Sequence, residues 1–397
     1  MRSYPFSRFP VVDLPGDYEE LRAQGSVVRV SHLGTPVWLT LGQQETRKVL
    51  TDPRFSRARL RPERPGETPA FAEMLKYDSV GLLGDADQPD HRRLRKALTL
   101  WFTNEYVERL RPEIARLFAA QLDRDSPADF LNDVARPFVD QLQFRLLWEM
   151  CGVPPSGRNE AYRWMQHLFK FDLNTSQEEI QAIAQRCDEY FQSLIQARRE
   201  APGDDPLSIA LTDPVFRAAT NQELAWLLLG IIRGGYNTTP TVLSHCVWLL
   251  LRNPAWWEKL VLDHSLIPQA AEEALRLQPP AERNGMRRAL EDVVVGDVTI
   301  RTGDVVIPGS MPASYDPDHF TDPAQFDPLR PNSNQHFSFG HGPHFCPGAA
   351  MGRYTVIDAL TVLVTRFPGL RLAGEPSWLP NDHMIPMRTF DSLPVAW

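Results

Sequence analysis

The chain has 397 residues, 43% hydrophobic and 23% charged, enough apolar material for a large core and an ordinary globular balance. A net charge of −8 argues against general nucleic-acid binding, and four cysteines without a paired framework fit a reducing compartment. The opening residues hold no apolar run long enough for a signal peptide or membrane anchor and no linker or repeat divides the chain, so one soluble cytoplasmic domain over residues 1–397 is expected.

Residues 26–41 alternate around Gly34-Thr35-Pro36 and predict a small hairpin. A helix follows from Gln43 to Leu50. Residues 58–86, which include Tyr77, lack clear periodicity and read as a loop. In the run from Asp87 to Thr103, His91 and Arg95 are four apart and share one helical face. Taken alone, such a basic turn is a solvated surface. From Glu105 to Arg199 the pattern is nearly continuous helix, broken near Asp125-Ser126-Pro127 and Cys151-Gly152-Val153-Pro154-Pro155.

A long apolar helix is predicted from about Asn221 to Leu251. Its centre, Gly234-Gly235-Tyr236-Asn237-Thr238-Thr239-Pro240, is poor for a plain buried helix, which predicts a functional bend. Arg233, Asn237, Thr238 and His245 make it too polar to span a membrane. A further helix, Pro268 to Leu277, carries Glu273 and Arg276, an i, i+3 pair that is worth little on a surface. Short strands are expected at 293–300 and 305–308, and a hairpin from Met384 to Trp397.

The richest stretch runs from Phe337 to Arg353, where glycines, prolines, His341 and His344 crowd around Cys346, and an apolar periodic run from Ala349 to Phe367 follows. Cys346 therefore sits on a tight loop entering a helix N-terminus, where the dipole and free N–H groups stabilise a thiolate; Pro347 has no N–H, which leaves Gly348 and Ala349 as donors. A cysteine between two histidines could also be half a zinc site, though the other cysteines lie on predicted helices without a pair. An inert buried cysteine would leave the glycines unexplained. The pattern Phe339-x-x-Gly342-x-x-x-Cys346-x-Gly348, with His344 two residues before the cysteine, resembles the haem-binding loop of the cytochrome P-450 family.

That resemblance covers nearly the whole chain, with five motifs in the family's order. It implies the mainly α P-450 fold with a minor β region, of the soluble bacterial type. It also implies haem b (iron protoporphyrin IX) with Cys346 as axial metal ligand, a ligand that favours O–O cleavage. Phe339, Gly234 and Gly348 would pack against the porphyrin. His91, Arg95 and Arg287 would bind the propionates, with His344 in the same cofactor site. Arg92, Arg93 and Lys96 would then face an acidic redox partner. Glu273 and Arg276 match the family's structural pair, and residues 58–86 match its mobile loop over the substrate. Thr238 matches the threonine of the oxygen-binding groove, while Asn237 replaces the usual acid and cannot relay a proton by ionising.

The implied activity is a monooxygenase-type oxidation in secondary-metabolite biosynthesis, using O2 and electrons from a ferredoxin and its reductase, in a monomer. Hydroxylation, or oxidative coupling of aromatic rings in a peptide, are both open outcomes. A peroxide-driven peroxygenase fits the missing acid, and a non-catalytic haem ligand sensor would need neither Thr238 nor a redox partner. Arg233, one turn before Asn237, and Arg283, four residues before Arg287, occupy segments that line the pocket, with Tyr77 and Met384 as further contacts. Burying a guanidinium is costly unless an anion or several acceptors meet it; Arg233 either snorkels to water or pairs with an internal carboxylate, or the substrate brings the anion, in which case a carboxylate-bearing aromatic amino acid or short peptide is favoured.

Overall fold

The protein is described here by a computed structural model covering residues 1–6, 14, 16–60, 66–77, 86–98, 101–169, 177–379 and 387–397. Helices dominate, and two of those around the site start from identifiable caps. Thr103 accepts the Tyr106 N–H at the head of Asn104–Gln121. Thr220 and Glu223 form a reciprocal capping box at the head of Asn221–Tyr236. Gly152, at φ +60°, closes Arg136–Cys151 where only glycine is unstrained. The helix Ala349–Arg366 packs on Asn104–Gln121 and on Ile267–Leu277, and Thr238–Arg252 lies against it, so the main core gathers around this bundle.

The β region is small. Its six-stranded sheet runs Ser3–Tyr4, Val27–His32, Thr35–Thr40, Val305–Pro308, Arg287–Ala289 and Phe55–Ser56. The predicted hairpin exists, but its turn is Leu33-Gly34, both at positive φ, and Pro36 lies within the second strand opposite Ser31. A two-residue turn of that kind matches the right-handed twist of the strands, which a turn through Thr35-Pro36 would not.

Residues 58–86 are not all loop. Pro69–Tyr77 is a helix that buries Phe71 and Leu75 beside Tyr18, a packing partner fifty residues away that periodicity could not register. The tail is not a hairpin with itself either. Phe390–Ser392 pairs with Ser377–Trp378, and Pro394–Ala396 pairs with Arg371–Leu372 and Ala128–Asp129. Short strands find partners by tertiary packing, and these two found earlier segments of the chain. Among the described residues, no helix is long and apolar enough to cross a membrane.

Candidate active site

The cysteine loop is shaped by glycine. Gly340 and Gly342 have φ +71° and +69°, and a Cβ on Gly342 would meet the Leu50 carbonyl at 2.8 Å. The loop closes when the Cys346 N–H donates to Phe339 O at 2.8 Å. Cys346 lines a cavity of about 530 Å³, within the range of small-molecule sites. Gly348 N–H donates to the sulfur, but Ala349 N–H turns instead to Cys346 O at 3.4 Å, because Ala349 already begins the helix. Burial pushes the Cys346 thiol up in pKa, and Gly348, Arg95 and Arg353 only partly oppose this. Burial thus opposes the charged form that the helix N-terminus favours, and a bound iron would tip the balance toward the thiolate, since a metal ion deprotonates a coordinating thiol outright.

Behind the cysteine, Arg353 lies 4.5 Å over the Phe339 ring and holds Glu272 through two bonds of 2.6 and 3.1 Å. His336 Nε2 is 3.4 Å from the same carboxylate. Burial raises Glu272, but its hydrogen bonds to His336 and Arg353 win and hold it at about 2. Burial lowers the pKa of His336, with Glu272 opposing, whereas the Arg353 guanidinium carries its charge throughout. His341 is engaged elsewhere, 3.0 Å from Arg47 Nη1, and among the described residues no cluster of histidine, cysteine or acid could hold a metal by itself. The zinc half-site is not assembled.

One end of the cavity concentrates positive charge. His91 and Arg95 come from the helix Asp90–Leu98, and His344 stacks 4.2 Å from His91. Arg287 lines the same end, its Nη1 donating to Gly285 O at 2.7 Å. Arg57, which sequence reasoning missed, joins them from the loop after the strand Phe55–Ser56, because that strand pairs with Arg288 and Ala289 beside Arg287. Nothing in its local sequence marks it. Burial, then Arg95 and Arg287, lowers the pKa of His91, whose Nε2 is buried without a hydrogen-bond partner. No Asp or Glu among the described residues lines this cavity. A cation cluster with a buried, unsatisfied imidazole Nε2 and no acid among the described lining suits a ligand that brings carboxylates. The two propionates of protoporphyrin IX, with Cys346 on the same cavity, fit it.

The opposite wall is the predicted bend, and the structure resolves it as two helices meeting at Asn237. Thr238 Oγ1 donates to Gly234 O at 2.6 Å, diverting a backbone carbonyl from the helical ladder. Two residues on, Pro240 lacks the N–H that would continue that ladder. The two glycines differ in use. A Cβ on Gly235 would strike Gln143 Nε2 at 2.4 Å, whereas a Cβ on Gly234 meets nothing within 4 Å. Gly235 lies against the tip of the Gln143 side chain, and Gly234 faces open space. Behind the bend, the Tyr236 hydroxyl donates to Asp140, but neither residue lines the cavity.

The expected substrate contacts fare differently. Arg283 is buried at 5% exposure and lines the cavity, with Nη1 3.4 Å from Asn284 O. Arg233 also lines the cavity but is exposed, so the cost of burial applies to Arg283 and not to Arg233. Tyr77 closes the helix Pro69–Tyr77, and Met384 lies outside the described residues. Met387, held to Ala281 by a β-bridge, is the residue of the C-terminal tail that lines the cavity among the described residues. Of the three surface cations expected near His91, Arg92 and Lys96 are exposed, but Arg93 bonds Glu223 at 3.4 Å because the capped helix end falls beside it.

The family model described as "Cytochrome P450" matches residues 18–371. Nocardicin C N-oxygenase from Nocardia uniformis subsp. tsuyamanensis is 35% identical, covering 100% of this chain and 98% of that protein. Mycinamicin IV hydroxylase/epoxidase from Micromonospora griseorubida is 33% identical over 100% of this chain and 98% of its own. Among solved structures, the LnmA cytochrome P450 hydroxylase from the leinamycin pathway of Streptomyces atroolivaceus aligns with a TM-score of 0.85 at 30% identity, covering 100% of both chains.

Proposed function

The chain belongs to the cytochrome P450 family, a family of haem b monooxygenases, and from that premise we propose that it oxidises a carboxylate-bearing aromatic amino acid or short peptide in secondary-metabolite biosynthesis. Residues 1–397 act as one haem-thiolate domain, fed with electrons by a ferredoxin and its reductase in the cytoplasm. The named relatives in nocardicin, mycinamicin and leinamycin biosynthesis support a tailoring role.

Cys346 would hold the iron, and His91, Arg95, Arg57 and Arg287 would hold the propionates, with Phe339, His344, Gly348 and Gly234 around the ring. When bound, the haem supplies the capacity to activate O2 at the thiolate-ligated iron. The protein's own groups do the rest. Thr238 keeps a hydroxyl at the cavity wall beside the bend, anchored to Gly234 O. Asn237 can donate and accept hydrogen bonds there but cannot ionise, so protons enter from water, substrate or another residue.

The observation that carries the substrate reading is charge. Five arginines line the cavity and no acid does among the described residues; beyond the three that would meet the propionates, Arg233 and Arg283 bring two more guanidinium groups to its wall. Arginine binds carboxylates bidentately and with geometric selectivity. The test is a Soret titration of the haem-loaded protein with tyrosine-containing peptides and with neutral steroids or macrolides. Arg233→Leu and Arg283→Leu should each weaken carboxylate binding roughly 10- to 150-fold, the worth of one charge-assisted bond of about 1.5–3 kcal/mol. Tight binding of the neutral ligands, indifferent to both changes, would overturn the reading. The missing acid favours a second reading, peroxide-driven turnover. Comparing NADPH plus a surrogate ferredoxin system with peroxide alone separates the two.

A further inference from the structure

Trp226, Gly230, Arg233 and Asn237 follow each other at i, i+4, i+7 and i+11, a single stripe along the central helix, and all four line the cavity. Twelve residues separate Trp226 from Thr238, about 18 Å at 1.5 Å per residue. The cavity is thus longer than one amino acid. Its floor is also uneven in a definite order. Large residues stand at Trp226 and Arg233, glycines lie between and after them at Gly230 and Gly234, and Gly234 faces open space that no protein atom fills. Trp226 is 46% exposed, a large aromatic left unburied at the far end of a site whose middle is walled by apolar residues such as Leu146, Leu147 and Ile231.

We infer that this stripe is an extended trough, and that the substrate is a linear peptide of four or five residues with a free C-terminus: its C-terminal residue takes the stretch from Thr238 to Arg233, and the seven positions from Arg233 to Trp226, about 10.5 Å of helix, take at least three more at about 3.3 Å per residue of strand. Its C-terminal carboxylate meets Arg233 and Arg283, which sets the C-terminal side chain nearest Thr238. The rest of the backbone runs outward over Gly230, and an aromatic or apolar residue near its N-terminus covers Trp226. A carrier-tethered amino acid is disfavoured, because its carboxyl is esterified and presents no anion to the arginines. This deepens the carboxylate reading above and rests on it.

The test uses the haem-loaded protein and free-acid peptides in which phenylalanine and a C-terminal tyrosine are separated by zero to four glycines. Dissociation constants are read by equilibrium dialysis as well as by the Soret shift. Affinity should rise about tenfold or more from the dipeptide to the pentapeptide, the worth of covering one aromatic side chain. Trp226→Ala should remove that gain while changing the dipeptide less than about twofold, and Trp226→Phe should keep most of it. Amidating the C-terminus of the pentapeptide should cost about tenfold or more. Length-independent affinity, or a length gain that survives Trp226→Ala, overturns the trough and leaves the carboxylate reading standing. Amide and acid binding equally well overturns the carboxylate reading and the trough with it.

Discussion

Glu273→Gln is the sharpest perturbation the structure offers. Glu273 and Arg276 are fully buried, joined by bonds of 2.7 and 2.8 Å, and Arg330 adds a third at 3.1 Å to the same carboxylate. Arg276 also donates to the carbonyls of Ser314 and Pro323, at 2.6 and 2.8 Å. Glutamine keeps the shape but removes the carboxylate charge that, among the described residues, balances two buried guanidinium groups, and it turns an amide N–H toward them. Breaking a buried pair from one side costs about 3–5 kcal/mol. With unfolding entropy near 2.1 cal/mol/K per residue, 397 residues give roughly 0.8 kcal/mol/K, so the midpoint should fall by about 4–6 °C.

The damage should reach the cysteine, because the same helix accepts Ser338 Oγ at Leu275 O, 2.5 Å away, and Ser338 belongs to the cysteine loop. Thermal unfolding by circular dichroism is the assay, with the red-shifted Soret band of the reduced CO complex as a second readout. That thiolate band should lose intensity at temperatures where the wild type keeps it. Glu113→Gln is the control, since Glu113 pairs with Arg116 and Arg145 at the surface and should cost under about 1 kcal/mol. A midpoint for Glu273→Gln within about 1 °C of the control would refute the reasoning.

Cys346→Ala should abolish the thiolate Soret band of the reduced CO complex while the helical circular dichroism is kept; a normal band would unseat Cys346 as the ligand. Thr238→Ala should raise peroxide formed per NADPH while substrate still binds, with Thr238→Ser restoring coupling through the hydroxyl now held by Gly234 O; Asn237→Asp should change coupling as well, and unchanged coupling in both Thr238→Ala and Asn237→Asp would show that protons arrive by another route. His245 is buried, and burial, then Arg388, depresses its pKa to about 3 from 6.5. The folded protein then refuses a proton that the unfolded chain accepts, so this stability is complete above pH 6.5 and falls by roughly 1.4 kcal/mol per pH unit toward pH 3. Urea unfolding across that window should show the slope, reduced in His245→Gln; an identical slope in the variant would assign it to other groups.

The cysteine loop, the His91/Arg95 turn and the bend at Thr238 were legible in the sequence because each depends on neighbours within a few positions. A glycine-rich turn, an i, i+4 face and a Gly-Gly-x-Asn-Thr-x-Pro run carry their own geometry. What distant segments bring together was not legible. Arg330 completes the buried cluster from 57 positions beyond Glu273, and Glu272 meets Arg353 across 81. Arg57 enters the cation cluster only because its strand pairs beside Arg287. Arg233 and Arg283 look equivalent as two arginines in pocket-lining segments, yet one is exposed and the other buried. Whether a side chain meets solvent, an acid or a cavity depends on which segments the chain packs against it, and a local pattern holds no record of that choice.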